Sequence, residues 1–213
     1  MKVLAVGSQK GGVSKSTSVL YLAARAAEHL GGTDENPVVG ILDRDESKNI
    51  TELLTLRPDL LRPGMRLLRG DALPSLIDGL QLVVIDTPPG LSAIQSLREA
   101  HLVLVPVLPE DQGVANLVKY LRNIEAQRLT VSPDMRLVAL LPAMVDRTLL
   151  HRQRLADITQ IARRHVPPLV VLPSVPRRAR IASYDLDTPE YDLPAKELFA
   201  NAFINQASPA LAR

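Results

Sequence analysis

One loop, set between a strand-like run and a helix-like run, constrains this chain more than any other feature. Lys2–Gly7 (KVLAVG) is short, aliphatic and β-branched. Ser16–Leu30 is rich in Ala and Leu and is closed by Gly31-Gly32, so the pattern predicts a strand and then a helix. Between them the chain reads Gln9-Lys10-Gly11-Gly12-Val13-Ser14-Lys15-Ser16-Thr17. A phosphate cradle needs small residues, so that successive backbone N–H groups converge on oxygens. It also needs a lysine for the β/γ charge, a hydroxyl for a magnesium ion, and a helix N-terminus behind them. Gly11, Gly12, Lys15, Ser16 and the helix supply all four. The strict spacing G-x-x-x-x-G-K-[ST] is not met, because Gln9 and Ser14 stand where glycines belong, but x-K-G-G-x-x-K-[ST] fits at every fixed position. The competing reading is a Gly-rich turn with incidental lysines. It leaves the strand-to-helix setting unexplained.

The rest of the chain repeats the strand–helix order. Strands are expected at Pro37–Leu42, Met65–Leu68, Leu82–Ile85, His101–Val107, Met135–Leu141 and Leu169–Leu172. Helices are expected near Leu91–Glu99 and at Asp111–Arg128, Leu149–His165 and Glu190–Asn205. Several strands are continuous apolar runs, as strands are when both faces are covered. This predicts an α/β fold: a mostly parallel, twisted sheet with helices on both faces and right-handed crossovers. No repeat or interdomain linker is evident, so 1–213 reads as one domain. In such sheets ligands lie at the C-terminal strand ends.

Two more strand exits carry acids. Asp43-Arg44-Asp45 follows the second strand; on an extended exit the two carboxylates would point the same way. The competing reading there is a solvated charged turn. Leu82–Ile85 delivers Asp86 and then Thr87-Pro88-Pro89-Gly90, an apolar strand ending in a carboxylate suited to magnesium. An Asp cap before a Pro turn is the alternative.

The segment K-G-G-V-S-K-S-T resembles the deviant Walker A motif of the ParA/MinD superfamily of ATPases, within the P-loop NTPase fold. The resemblance implies ATP/ADP and Mg²⁺ as ligands, held by Lys10, Gly11, Gly12, Val13, Ser14, Lys15, Ser16 and Thr17. It implies that Lys10 reaches across an ATP-bound homodimer to the partner's phosphates, that Lys15 contacts β/γ phosphates, and that Ser16 ligates Mg²⁺. I-L-D-R-D-E-S-K-N is similar to the family's D-x-D-P-Q-x-N stretch. This implies Asp43 in the magnesium shell and Asp45 orienting the hydrolytic water, with Glu46-Ser47 in place of Pro-Gln. L-V-V-I-D-T-P-P-G resembles the Walker B strand and switch segment, with Asp86 binding Mg²⁺ through water. Val175–Ala182 is similar to the family's I-P-R-x-x-R segment, which places Pro176 beside the adenine; Ser183-Tyr184 replaces its Glu-Ala. Ser14 replaces the family's usual Gly; where that position needs positive φ, a serine costs about 1 kcal/mol or more. The likeness spans nearly the whole chain and, with no N-terminal DNA-binding extension, is to short plasmid-type ParA proteins.

Composition narrows the function classes. The net charge is only +2, yet Arg147–Arg180 holds Arg147, Arg152, Arg154, Arg163, Arg164, Arg177, Arg178 and Arg180 against Asp157 alone. The next stretch, 181–197, is acidic, with Asp185, Asp187, Glu190, Asp192 and Glu197 against Lys196. The arginines, chiefly Arg147, Arg152, Arg154, Arg177, Arg178 and Arg180, are candidates for salt-sensitive, non-specific DNA contact. Pairing with Asp185, Asp187, Glu190 and Asp192 is the competing reading. Cysteine is absent, which excludes thiolate metal sites and a nitrogenase-reductase-like bridging cluster. The four histidines lack metal-ligand spacing. No run approaches the roughly 18 apolar residues of a spanning helix, and the C-terminus lacks a basic amphipathic pattern. The expectation is a cytoplasmic, nucleoid-associated partition ATPase with a ParB-like partner and no membrane contact. A MinD-like positioning ATPase, a biotin-pathway-type enzyme, and a nucleotide-binding module with little turnover are the alternatives.

Overall fold

The computed structural model describes residues 1–73, 79–131 and 137–204. Seven strands form one parallel sheet in the order β3-β2-β4-β1-β5-β6-β7. They are β1 (Lys2–Val6), β2 (Val39–Asp43), β3 (Met65–Leu68), β4 (Leu82–Asp86), β5 (Leu102–Val107), β6 (Leu137–Pro142) and β7 (Val170–Val171). The helices are α1 (Lys15–His29), α2 (Asn49–Leu56), α3 (Ile94–Glu99), α4 (Asp111–Val131), α5 (Leu149–Arg164), α6 (Ala179–Ala182) and α7 (Asp192–Ile204). The expected start of β6 at Met135 and end of α7 at Asn205 lie outside the described residues, as does the C-terminal stretch 205–213.

The continuous apolar runs divide by strict alternation between two cores. Leu4, Val6, Val39, Ile41, Leu82, Val84 and Leu104 pack with α1 and α7 on one face. Ala5, Val103, Val105 and Leu140 pack with α3, α4 and α5 on the other, and Val3, Leu42, Val83 and Ile85 extend that side toward the sheet edge. Both faces are covered, which is why β1, β2, β4 and β5 show no buried–exposed alternation. Helix α1 is enclosed almost all round: Val19 to Ala24, Ala26 and Ala27 are buried. It forms the central prop of its layer.

Helix α2 was not foreseen from sequence. Its own residues, NITELLTL, include two threonines and an isoleucine, which are indifferent helix formers. Its start is held from outside the segment. The Asp43 carboxylate accepts from Thr51 N–H and Thr51 Oγ1, each at 2.9 Å. A side chain at the end of a strand thus satisfies an orphan donor of the following helix.

Strand order reverses around β1, which is flanked by β4 and β5 although β2 follows it in the chain. This topological switch opens a crevice at the C-terminal edge. The register brings Val6, Asp86 and Asp43 side by side at that edge.

Candidate active site

The loop leaving β1 is shaped by backbone conformations that small residues permit. Gly12 has φ 77°, in the left-handed region, and a Cβ at Gly11 or Gly12 would meet no atom within 4 Å. Both glycines therefore border open space, which leaves room for a ligand against the loop. Gly7 answers a different need: a Cβ there would lie 2.1 Å from the Tyr120 hydroxyl, so the strand's end demands a residue without a side chain. Ser14 has φ 67° and ψ 26° immediately before α1. The positive φ that the sequence raised as a condition is present, and a serine bears it.

Helix α1 then presents Lys15 and Ser16. Lys15 is buried, with its ammonium 3.8 Å from Asp45 Oδ2. Ser16 Oγ donates to Asp86 Oδ2 at 2.6 Å. The other oxygen, Asp86 Oδ1, is buried and has no hydrogen-bond partner among the described residues. Burial raises the Asp86 carboxyl from its ordinary 3.8 to about 7, and the nearby Asp43 and Asp45 charges push the same way. The Ser16 hydroxyl and Lys15 ammonium oppose the shift. A desolvated carboxylate with one unsatisfied oxygen is poised for a cation.

The two acids at the exit of β2 take different hydrogen-bond partners, although both lie close enough to Asp86 to raise its carboxyl. The chain turns at once: Asp43 Oδ1 accepts from Asp45 N–H at 3.2 Å, and Asp45 Oδ1 accepts from Ser47 N–H at 3.1 Å and Ser47 Oγ at 2.7 Å. Successive Asx-type turns tie each carboxylate to the backbone two residues on. Asp45 faces Lys15, whereas Asp43 commits both oxygens to the turn and to α2. The structure therefore brings together Lys15, Ser16, Asp45 and Asp86, and sets Asp43 beside them in a capping role. Lys10 is exposed, and its ammonium has no carboxylate partner among the described residues.

Next to the start of α1 lies a cavity of about 310 Å³. Its walls include Ser14, Thr17, Met144, Pro176, Ile181 and Tyr191. Pro176 thus shares one cavity with the first helical turn after the phosphate loop, and Val13 lies on the loop's other side, near Tyr120. Tyr191 carried no sequence signal. It stacks on Tyr21 with ring centroids 4.5 Å apart and meets Ser18 Oγ through its hydroxyl at 3.2 Å, tying the cavity wall to α1.

No family model matches the chain. The chromosome-partitioning ATPase Soj of Thermus thermophilus is 30% identical over 209 residues, covering 84% of this chain and 82% of that protein. The chain belongs to the ParA/MinD superfamily. Solved structures agree on the fold. Cobyrinic acid a,c-diamide synthase from Mycobacterium smegmatis with bound ADP and magnesium superposes with a TM-score of 0.72 at 26% identity, covering 100% of both chains. A complex of a Cyanothece McdA variant with ATP superposes with a TM-score of 0.74 at 17% identity, covering 100% of this chain and 99% of that one.

For this ParA/MinD protein the arginines divide into two sets. Arg177 pairs with Asp146 at 3.0 Å, Arg178 with Glu190 at 3.8 Å and Arg180 with Asp185 at 2.6 Å. Arg154 pairs with Asp111 at 2.6 Å and also with Asp157. Arg147 and Arg152 are exposed at the start of α5 and have no acidic partner among the described residues, as do Arg163 and Arg164 at its end. The single cationic face anticipated from Arg147, Arg154 and Arg177–Arg180 is therefore not free: local acids already neutralise most of it. The unpaired charge lies on the solvent side of α5.

Among the described residues no group of three His, Cys, Asp or Glu could hold a metal ion on its own. A magnesium ion bound chiefly by phosphate and water asks less of the protein. The Ser16 hydroxyl and the orphaned Asp86 oxygen beside an open glycine loop fit that smaller demand. No helix among the described residues is long and apolar enough to cross a membrane.

Proposed function

We propose that this ParA/MinD protein is a partition ATPase that closes into an ATP-dependent sandwich dimer, binds DNA non-specifically, and hydrolyses ATP with magnesium when a ParB-like partner stimulates it. One observation carries the reading: the Lys15–Asp45 and Ser16–Asp86 pairs meet at the sheet's C-terminal edge, against the open Gly11-Gly12 loop.

In this reading the loop N–H groups and Lys15 bind the β/γ phosphates, and Ser16 with Asp86 holds Mg²⁺. The ion would supply charge neutralisation on the phosphate oxygens. The 310 Å³ cavity takes the base against Pro176. ATP draws the Lys15 ammonium away from Asp45, whose freed carboxylate orients the attacking water. Lys10, exposed and unpaired among the described residues, reaches the partner's phosphates, which makes dimerisation and ATP binding reciprocal. DNA contact falls to Arg147, just before α5, and to the exposed Arg152, Arg163 and Arg164 on it. Each patch is weak alone, and the dimer doubles it. This activity places the protein in the cytoplasm on the nucleoid.

The test is a DNA titration with ATP, ADP or no nucleotide at two salt concentrations. Binding with ATP alone that weakens steeply with salt supports the reading. Equal binding in all three states contradicts it. ATP-dependent binding to liposomes instead of DNA would favour a MinD-like positioning role. Turnover that requires an organic acid would favour an activity closer to the diamide synthase named for the Mycobacterium smegmatis neighbour.

A further inference from the structure

Arg44, between the two acids that follow β2, is the least solvated arginine of the site. Its side chain is 7% exposed. Nη2 donates to Glu99 Oε2 at 2.6 Å, Nη1 to Ser96 Oγ at 3.3 Å, and Nε to the Asp71 carbonyl at 2.7 Å. Its backbone N–H donates to the Asp86 carbonyl at 2.9 Å, continuing the β2–β4 ladder from the first residue after β2 to the last of β4. One residue is thus fixed by its main chain to the strand that delivers Asp86, and by its side chain to the helix that follows Asp86.

The position matters because of its neighbours. Asp45, the next residue, faces Lys15 across 3.8 Å. Lys48 braces the same loop from the other end, donating to the Asp43 carbonyl at 2.7 Å and to Asp71 Oδ1 at 3.2 Å. Both braces converge on Asp71. Only the Arg44 brace reaches α3, which begins one turn after the Thr87–Gly90 loop. A buried guanidinium is costly to desolvate and is weak evidence for stability in itself. Its planar fork does fix geometry well, because several acceptors must be in place at once.

We infer that Arg44 is a positioning residue for ATP hydrolysis: clamped to Glu99 and Ser96 on α3, it sets where Asp45 stands relative to the phosphate loop. The inference rests on the hydrolytic reading of Asp45. It makes α3 the element whose displacement moves the hydrolytic carboxylate, so a ligand that shifts α3 changes turnover without touching ATP. Glu99, 34% exposed, is the accessible end of the clamp.

The experiment compares wild type with Arg44→Met, Glu99→Gln and the double variant, using Asp45→Asn as a reference. It measures kcat at saturating ATP and, separately, the Kd of a non-hydrolysable ATP analogue with magnesium. A positioning role predicts that Arg44→Met lowers kcat at least ~10-fold and Glu99→Gln several-fold, with Kd within about twofold of wild type. It also predicts that the double variant is no slower than Arg44→Met, since both changes break one clamp. A purely structural role would lower the active fraction and move analogue binding in step with kcat; that result overturns the inference. If Arg44→Met does not fold, Glu99→Gln alone decides, because its amide keeps the shape while removing the charge that holds the guanidinium. Wild-type turnover matched by every clamp variant sinks the clamp and leaves the ATPase reading intact. A wild-type chain with no turnover under any condition removes both.

Discussion

Asp86 takes the Ser16 hydroxyl at 2.6 Å on one carboxylate oxygen and keeps the other buried without a partner among the described residues. The pair links the end of β4 to the first turn of α1 and concentrates the cost of the site in one group. Burial holds the carboxyl near 7, so the nucleotide-free fold retains a proton that the unfolded chain has lost. The sign follows: from about pH 4 to pH 7 the unfolded state binds fewer protons at this group, and its contribution to stability falls as pH rises. Asp86→Asn removes that slope. The nucleotide-free variant is expected to gain on wild type across this window, by a few kcal/mol at about pH 8. It should lose the magnesium-dependent stabilisation by ATP. Melting curves of both proteins from about pH 4 to 8 check this, and a pH-independent difference between them would refute it.

Ser14 holds φ 67° at the mouth of α1. A non-glycine residue costs about 1 kcal/mol or more there, partly offset by its smaller unfolded-state entropy. Ser14→Gly is expected to raise stability by roughly 0.5 kcal/mol and to retain nucleotide binding. Urea midpoints measure the first and analogue titration the second. A clear loss of stability would show that the serine side chain has a use beyond tolerating the turn.

Asp43 and Asp86 are neighbours in the ladder but have different duties. Asp43 accepts from Thr51 N–H and Oγ1, and from Asp45 N–H. Asp43→Ala should destabilise by about 1–2 kcal/mol through the lost helix cap and speed amide exchange in α2. Thr51→Val should cost about 1 kcal/mol. Magnesium-dependent analogue binding should survive Thr51→Val while failing in Asp86→Asn. Equal binding defects in Asp43→Asn and Asp86→Asn would return Asp43 to the magnesium shell.

The arginines are distinguished by whether an acid already holds them. Arg147→Ala and Arg152→Ala are each expected to weaken DNA binding several-fold and to lower the salt slope by about one unit. Arg154→Ala should do less, because Asp111 and Asp157 already neutralise its charge. Affinities measured across a salt series separate the two sets.

What the sequence disclosed and what it withheld follow from the reach of the interactions. Lys15, Ser16 and Asp86 were legible because each sits in the loop or at the exit of a continuous apolar strand, and the parallel register brings those exits to one edge. Strands β1, β4 and β5 were legible for the same reason. Helix α2 was not, because Asp43, outside the helix and several residues upstream, supplies its cap. The separate partners of Asp43 and Asp45 were not legible, because side chain–backbone turns in the loop set them rather than the alternation of an extended chain. Arginine pairing was half visible: Arg178–Glu190 and Arg180–Asp185 join neighbouring segments, whereas Asp187 and Asp192 are taken by Arg62 and Arg25 from far away in the chain. Arg44 could have been noticed as a lone cation between two acids, but nothing local indicates that Glu99 faces it.

The exposed Lys10 bears the most direct test, because the role proposed for it exists only in the dimer. Sedimentation velocity of wild type and Lys10→Ala, each with ATP and magnesium and with ADP, measures it. The account predicts an ATP-specific dimer for wild type and a monomer for Lys10→Ala under every condition, with unchanged melting temperature in the nucleotide-free state. An ATP-dependent Lys10→Ala dimer that hydrolyses ATP at the wild-type rate would contradict it.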